Sequence, residues 1–333
     1  MEIFLSLLFL ILGFILIIVG GDIFVECLIK IAKKLKISPL IIGATIASIA
    51  TTLPEIIVGI ISACQGSTEL AVGNAIGSMI ANIAFVCGLS IAFLPAPTKD
   101  RDAFRAILIL ICTALVFVFG TNGTLNWIEG AILLALFVVY MLGNVLIAKK
   151  QNNIDFETEE ESGGKFKTLI SKTIEKTWGL ILLTILTAGA IGGGAYLLVE
   201  GATGLASIVG IPESVIGLTV VALGTSLPEL VTAINSIKKK VPSLALGNLV
   251  GASIINITLI VGLVSVICNK TEVPFLRTDL YISLPILFLC ILILYLPVVI
   301  CKKTQRWQGI CLLIIYILYI SYLVTTTIIG FSL

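Results

Sequence analysis

Apolar runs of about twenty residues follow one another along almost the whole chain, and that regularity leaves few folds open. Each run is long enough, as a helix, to cross a hydrocarbon core of about 30 Å. The 333 residues are 58% hydrophobic and 12% charged, with a mean hydropathy of +1.17, whereas soluble domains carry roughly 25% charged residues. The expectation is an all-α polytopic membrane protein. Ten spans are assigned, over approximately 4–31, 39–63, 69–94, 104–119, 125–148, 177–204, 213–236, 243–268, 279–300 and 307–331. The first run, Ile3 to Ile18, lacks a basic leader and a cleavage pattern and continues to Ile31, so it reads as a spanning helix rather than a signal peptide.

Charge placement orients the spans. The loops after spans 1, 3, 5, 7 and 9 hold all the lysines and arginines except Lys270 and Arg277. Basic loops stay in the cytoplasm. Both termini are therefore expected outside a cell membrane, with the polar stretch 149–176 as a cytoplasmic linker. The acidic run Asp155 to Ser162 within it reads as solvated linker.

The chain also repeats itself. Shifting Glu55 onto Glu229 aligns the halves without a gap from about Gly20 to Leu89, matching Glu26 with Glu200, Pro54 with Pro228, Asn74 with Asn248 and Asn82 with Asn256. Five spans per half, an odd number, force opposite orientations on the halves. The basic residues agree: Lys33, Lys34 and Lys36 follow span 1, whereas Lys238, Lys239 and Lys240 follow span 7. Residues 1–148 and 177–333 are thus expected to form two inverted five-helix repeats. Such repeats characterise secondary transporters, which bind their cargo near the midplane.

The repeat centres on AlaThrThrLeuProGlu (Ala50 to Glu55) and GlyThrSerLeuProGlu (Gly224 to Glu229). A charge at the centre of a membrane helix costs about 2.5–3.5 kcal/mol, and such residues mark ion or substrate pathways. Pro54 and Pro228 remove a backbone N–H and crowd the carbonyls of Ala50 and Gly224, so both helices should break there and free carbonyl oxygens. Thr51 shares a helical face with Glu55, and Thr225 with Glu229, whereas Thr52 and Ser226 lean to a neighbouring face. Spans 3 and 8 add Asn74, Ser78 and Asn82, and Asn248 and Asn256, with Ala252 where the first half has Ser78. These amides also fit the plain role of bonding helices together. The set is carboxylates, hydroxyls, amides and carbonyls, which suits Ca²⁺ or Na⁺. With no histidine and eight scattered cysteines lacking a CxxC pair, zinc chemistry is not expected.

Both stretches resemble the α-repeats of the calcium/cation antiporter superfamily, and are most similar to its prokaryotic sodium/calcium exchangers. The resemblance implies ion ligands at Ser48 (backbone), Thr51, Thr52, Glu55, Ser78 and Asn82, and at Ala222 (backbone), Thr225, Ser226, Glu229 and Asn256. It implies transport of Ca²⁺ and Na⁺, which compete for the same sites. Four positions depart from the family pattern: AlaThrThr replaces GlyThrSer at Ala50 and Thr52, Ala252 replaces a serine, and Asn256 stands where similar exchangers carry aspartate. Two carboxylates balance one Ca²⁺ but leave several Na⁺ in charge excess, so proton coupling through Glu55 and Glu229 is the alternative. A cation channel is a remoter one. An enzyme is not expected, nor a cofactor or a nucleic-acid partner; a monomer is compatible with this reading. Asp22, Glu26 and Glu200 are expected near a membrane face, in pairing or entrance roles. The glycines at 192–194 mark an expected flexing point in span 6.

Overall fold

A computed structural model describes residues 2–64, 66, 68–95, 102–149, 177–208, 224, 226–268, 273–301 and 303–329. Within them the chain is helical almost throughout. The linker 149–176, apart from Lys149, and the first half of span 7 lie outside the described residues.

Helix α1 (Glu2–Leu35) is followed by a segment in pieces: α2 (Pro39–Ile42), a π-helical turn (Gly43–Ala47), α3 (Ser48–Thr51) and α4 (Leu53–Cys64). The pieces before and after Thr52 meet at 46°. Pro54, the second residue of α4, has no N–H for the Ala50 carbonyl, and the bend falls within one turn of it. Next come α5 (Thr68–Ile80), a π-helical turn (Ala81–Cys87) and α6 (Gly88–Phe93), then α7 (Asp102–Gly120) and α8 (Trp127–Lys149). The second half holds α9 (Thr177–Ile208) and α10 (Leu227–Lys238). Then α11 (Pro242–Ile255) runs through a π-helical turn (Asn256–Ile260) into α12 (Val261–Ile267). A further π-helical turn (Asp279–Ser283), α13 (Leu284–Cys301) and α14 (Arg306–Ile329) complete it. Among the described residues seven helices are long and apolar enough to span a membrane, eight with the bent pair, and α7 is a shorter apolar helix.

One feature of the loops was not anticipated. Thr124–Leu125 (β1) and Val273–Pro274 (β2) pair antiparallel, Leu125 opposite Val273. Phe275 N–H extends the pairing to the Gly123 carbonyl at 2.9 Å. Backbone groups leaving a helix must find new partners, and the facing loops supply them.

Two packing units emerge. Helix α11 is sheathed on every side, with each residue from Leu244 to Ile255 buried, and α5 through α8, α13 and α14 gather around it in one apolar core. A second cluster joins Phe24, Val25, Leu28 and Ala32 of α1 to Leu180 and Ile191 of α9, and it also takes in Ile42 and Ala47 of span 2 and Leu244 of α11. The outer faces of α1 and α9 carry exposed residues such as Phe4, Phe14, Ile18, Ile185 and Leu186, as lipid-facing helices should. Helices α1 and α9 run together through small residues: Gly13 lies against Gly194 and Leu198, and Gly201 against Ser6 and Leu10. The expected flexing point at Gly192 to Gly194 is a continuous part of α9 here.

Candidate functional site

Every described element of the site opens or interrupts a helix. Glu55 and Glu229 each stand in the first turn of a helix that begins at Leu53 or Leu227, directly after the proline. Their carboxylates meet the positive end of the helix dipole, which partly offsets the cost of holding an anion away from water. Both side chains are 0% exposed. The two breaks face each other, since Thr52 at the first reaches Glu229 at the second.

Side chains of the first half reach the second directly. Thr52 Oγ1 donates to Glu229 Oε1 at 3.3 Å, and Thr51 Oγ1 donates to Asn248 Oδ1 at 3.2 Å. The sequence placed Thr52 on a face next to that of Thr51 and Glu55, beside the expected break. The bend at Thr52 (φ −84°, ψ 0°) carries its hydroxyl onto Glu229. Ser48 is buried, but its carbonyl already accepts the Thr52 N–H at 3.0 Å and its hydroxyl donates to the Thr45 carbonyl. The Ser48 carbonyl therefore keeps one lone pair for any ligand. Ala222 and Thr225 lie outside the described residues.

The walls come from the π-helical turns. Asn82 is the second residue of one and Asn256 the first of another, and both amides are completely buried. Single π-helical turns inside α-helices occur often at functional sites. The packing is reciprocal: α4, which bears Glu55, lies on the turn of Asn256, and α10, which bears Glu229, lies on the turn of Asn82.

The most informative property of this region is what its polar atoms do not touch. Both oxygens of Glu55, Glu229 Oε2, both amide atoms of Asn82 and of Asn256, Ser78 Oγ and Ser226 Oγ are buried without a hydrogen-bond partner in the protein. A buried carboxylate left so costs several kcal/mol. Buried polar groups are almost always satisfied, and a concentration of exceptions needs a reason. The oxygens among these atoms keep lone pairs that no protein donor uses. Elsewhere the amides do serve as helix ties: Asn248 is held by Thr51, and Asn144 Oδ1 accepts from Arg105 at 2.6 Å.

Four features were missed from sequence. The π-helical turns are one. The Tyr140 hydroxyl, which donates to the Ala44 carbonyl at 2.7 Å inside the π-helical turn of span 2, is another. Asp279 is a third: Oδ1 accepts from Ser283 at 3.2 Å, and Oδ2 is buried without a partner. Extending the repeat would have found it, since Arg105 and Asp279 are matched positions with opposite charge. The fourth is Thr232, buried with its hydroxyl unpartnered. Outside the cage, Asp22 and Glu26 do pair, with Lys239 Nζ at 2.9 and 3.8 Å, and Lys30 reaches Glu26 at 3.1 Å. Glu200 is exposed.

Several helices of membrane length, with buried carboxylates and hydroxyls that lack protein partners at the helix starts and turns, fit a polytopic membrane protein of the transporter class. The chain belongs to the sodium/calcium exchanger protein family, whose model matches residues 5–146 and 178–325. It is 34% identical over 316 residues to an uncharacterized membrane protein of Methanocaldococcus jannaschii, covering 95% of this chain and 97% of that one. It is 30% identical to the sodium/calcium exchanger MaX1 of Methanosarcina acetivorans, over 96% and 98% of the two chains. A putative antiporter, CaxA of Alkalimonas amylolytica, is 33% identical over 93% and 96%. Among solved structures, the sodium-calcium exchanger NCX_Mj soaked with 2.5 mM Na⁺ and 0.1 mM Ca²⁺ superposes with a TM-score of 0.81 at 31% identity, covering 95% of this chain and 98% of that one.

Proposed function

We propose that this protein exchanges Ca²⁺ for Na⁺ across a cell membrane by alternating access. Ca²⁺ and Na⁺ share a cage formed by Glu55, Glu229, Asn82, Asn256, Thr51, Thr52, Thr225, Ser226 and Ser78, with backbone oxygens of Ser48 and Ala222. The observation that carries this reading is the pair of fully buried carboxylates whose oxygens, apart from the one held by Thr52, have no partner in the protein. Two such acids bind a divalent cation with charge balance, and the surrounding hydroxyls and amides complete a set that Ca²⁺, with its 6–8 oxygens, can use. Because both ions need Glu55 and Glu229, occupancy by one excludes the other, and exchange follows.

The transport cycle rests on two inverted five-helix repeats, ten spans in all, with 149–176 as a cytoplasmic linker and both termini outside. In this reading α1 and α9 move against the body that carries the cage, and swapping the conformations of the halves swaps the open side. The close glycine-lined packing of α1 on α9 supports treating these two helices as one moving unit.

A second reading, Ca²⁺/H⁺ antiport through the same two glutamates, draws on Asn256 and Ala252, which leave only two carboxylates at the centre. Purified protein in vesicles decides between them. Under an imposed Na⁺ gradient at uniform pH, Ca²⁺ uptake is expected; uptake driven only by a pH gradient would transfer the assignment to protons. Passive Ca²⁺ flux that follows voltage without either gradient would overturn both.

A further inference from the structure

We infer that the Thr232 hydroxyl is a cation ligand of the central cage, supplying in the second half the oxygen that Ser78 supplies in the first. This inference rests on the cage proposed above and adds a residue to it.

Threonine inside a helix usually turns its hydroxyl back onto the carbonyl four residues earlier. Many of the buried hydroxyls among the described residues follow that habit. Thr113, Thr184, Thr187, Thr258, Ser90, Ser253 and Ser265 all donate to their own i−4 carbonyl, at 2.5–2.9 Å. So does Ser236, which donates to the Thr232 carbonyl itself at 2.7 Å. Thr232 does not, although it is 0% exposed and Pro228 presents a carbonyl four residues back. Ser78 and Ser226 of the cage share that behaviour, while Thr51 and Thr52 donate across the break instead.

Position agrees with chemistry. Thr232 lies three residues after Glu229, so it stands on the same face of α10 about 4.5 Å further along the axis. Glu229, Thr232 and Ser236 follow one another at helical spacing down that face. Burying a hydroxyl without a partner destabilises the fold. Valine has the same shape without that cost, and valine is what the first half carries at the matching position, Val58. The first half thus pairs Ser78 with Val58, and the second pairs Ala252 with Thr232. Each half contributes one hydroxyl from these two positions, on span 3 in one case and on span 7 in the other. The loss of an oxygen at Ala252 is offset one helix away.

The test uses the full chain in vesicles, with Ca²⁺ uptake measured against Ca²⁺ concentration. Thr232→Val is expected to raise the KM for Ca²⁺ about tenfold with a smaller change in kcat, the effect of one lost ligand. Thr232→Ser, which keeps the oxygen, should recover most of that loss, and so should Ala252→Ser added to Thr232→Val. A purely packing role would respond to neither rescue. A KM for Thr232→Val within twofold of wild type, or failure of both rescues, overturns the inference. If Thr232→Val does not survive purification, Thr232→Ala takes its place. Thermal stabilisation of the purified proteins by Ca²⁺ and by Na⁺ gives an independent readout. Wild-type exchange with an indifferent Thr232→Val sinks this inference alone. A wild type that neither moves nor is stabilised by either cation sinks the exchanger reading and this inference together.

Discussion

The two breaks share the sequence ThrThr- or ThrSer-LeuProGlu, yet their described side chains behave differently. Before Glu55, both hydroxyls are committed to the opposite half, Thr51 to Asn248 and Thr52 to Glu229. Before Glu229, Ser226 commits its hydroxyl to nothing. The acids differ in the same sense: Glu55 has both oxygens free, whereas Glu229 has one held by Thr52. The matched walls differ too, with Ser78 against Ala252, Val58 against Thr232, and at the far ends Arg105 against Asp279. A repeat preserves the geometry of the breaks, which proline dictates. It leaves the hydroxyls free to be redistributed, because a cation counts oxygens and is indifferent to which helix brings them.

Four measurements press on that comparison. The largest effect is expected from Glu55→Gln and Glu229→Gln. Each leaves the cage one charge short of balancing Ca²⁺, and each should lower Ca²⁺ uptake in vesicles by about a hundredfold or more. A transporter that keeps its wild-type rate with either change has no shared cage. Next, Asn256→Asp restores a third carboxylate. It should lower the Na⁺ concentration that half-inhibits Ca²⁺ uptake by about tenfold, whereas Asn82→Asp, on the turn packed against the helix of Glu229, adds its charge beside the acid that Thr52 already holds and should help Na⁺ less. Equal behaviour of the two would mean that the halves see the same field. Third, Tyr140→Phe orphans the Ala44 carbonyl in the first-half π-helical turn, which should cost about 1–3 kcal/mol and lower the melting temperature of the purified protein. The smallest effect is expected from Lys239→Met. Its ion pair with Asp22 is half exposed on the acid side, so stability should fall by about 1 kcal/mol or less in a denaturation series.

Much of this was legible in the chain because lipid makes polar residues conspicuous. Glu55, Glu229, Asn82 and Asn256 stand out in apolar runs, and all four are buried at the breaks and turns that face one another. Pro54 announced the bend because its missing N–H is a local fact. What stayed hidden depends on distant partners. A π-helical turn such as Gly43–Ala47 has no signature of its own; the Tyr140 hydroxyl that occupies the Ala44 carbonyl comes from a residue nearly a hundred positions later. Thr232 reads in sequence like Thr184 or Thr187, and only the direction of its hydroxyl separates them. The pairing of Leu125 with Val273 follows from where two loops happen to emerge. The partner of Thr52 could not be read from sequence because it belongs to the other half.

The glycine seam between α1 and α9 has a mechanical corollary. Where Gly13 meets Gly194 and Gly201 meets Ser6, main chains touch with almost no side chain between them, so neither helix can rotate past the other without opening a void along the seam. The two therefore travel as a single plank, and any sliding surface lies on its far side. There Gly192 of α9 rides beside Pro54, the hinge stone of the first break.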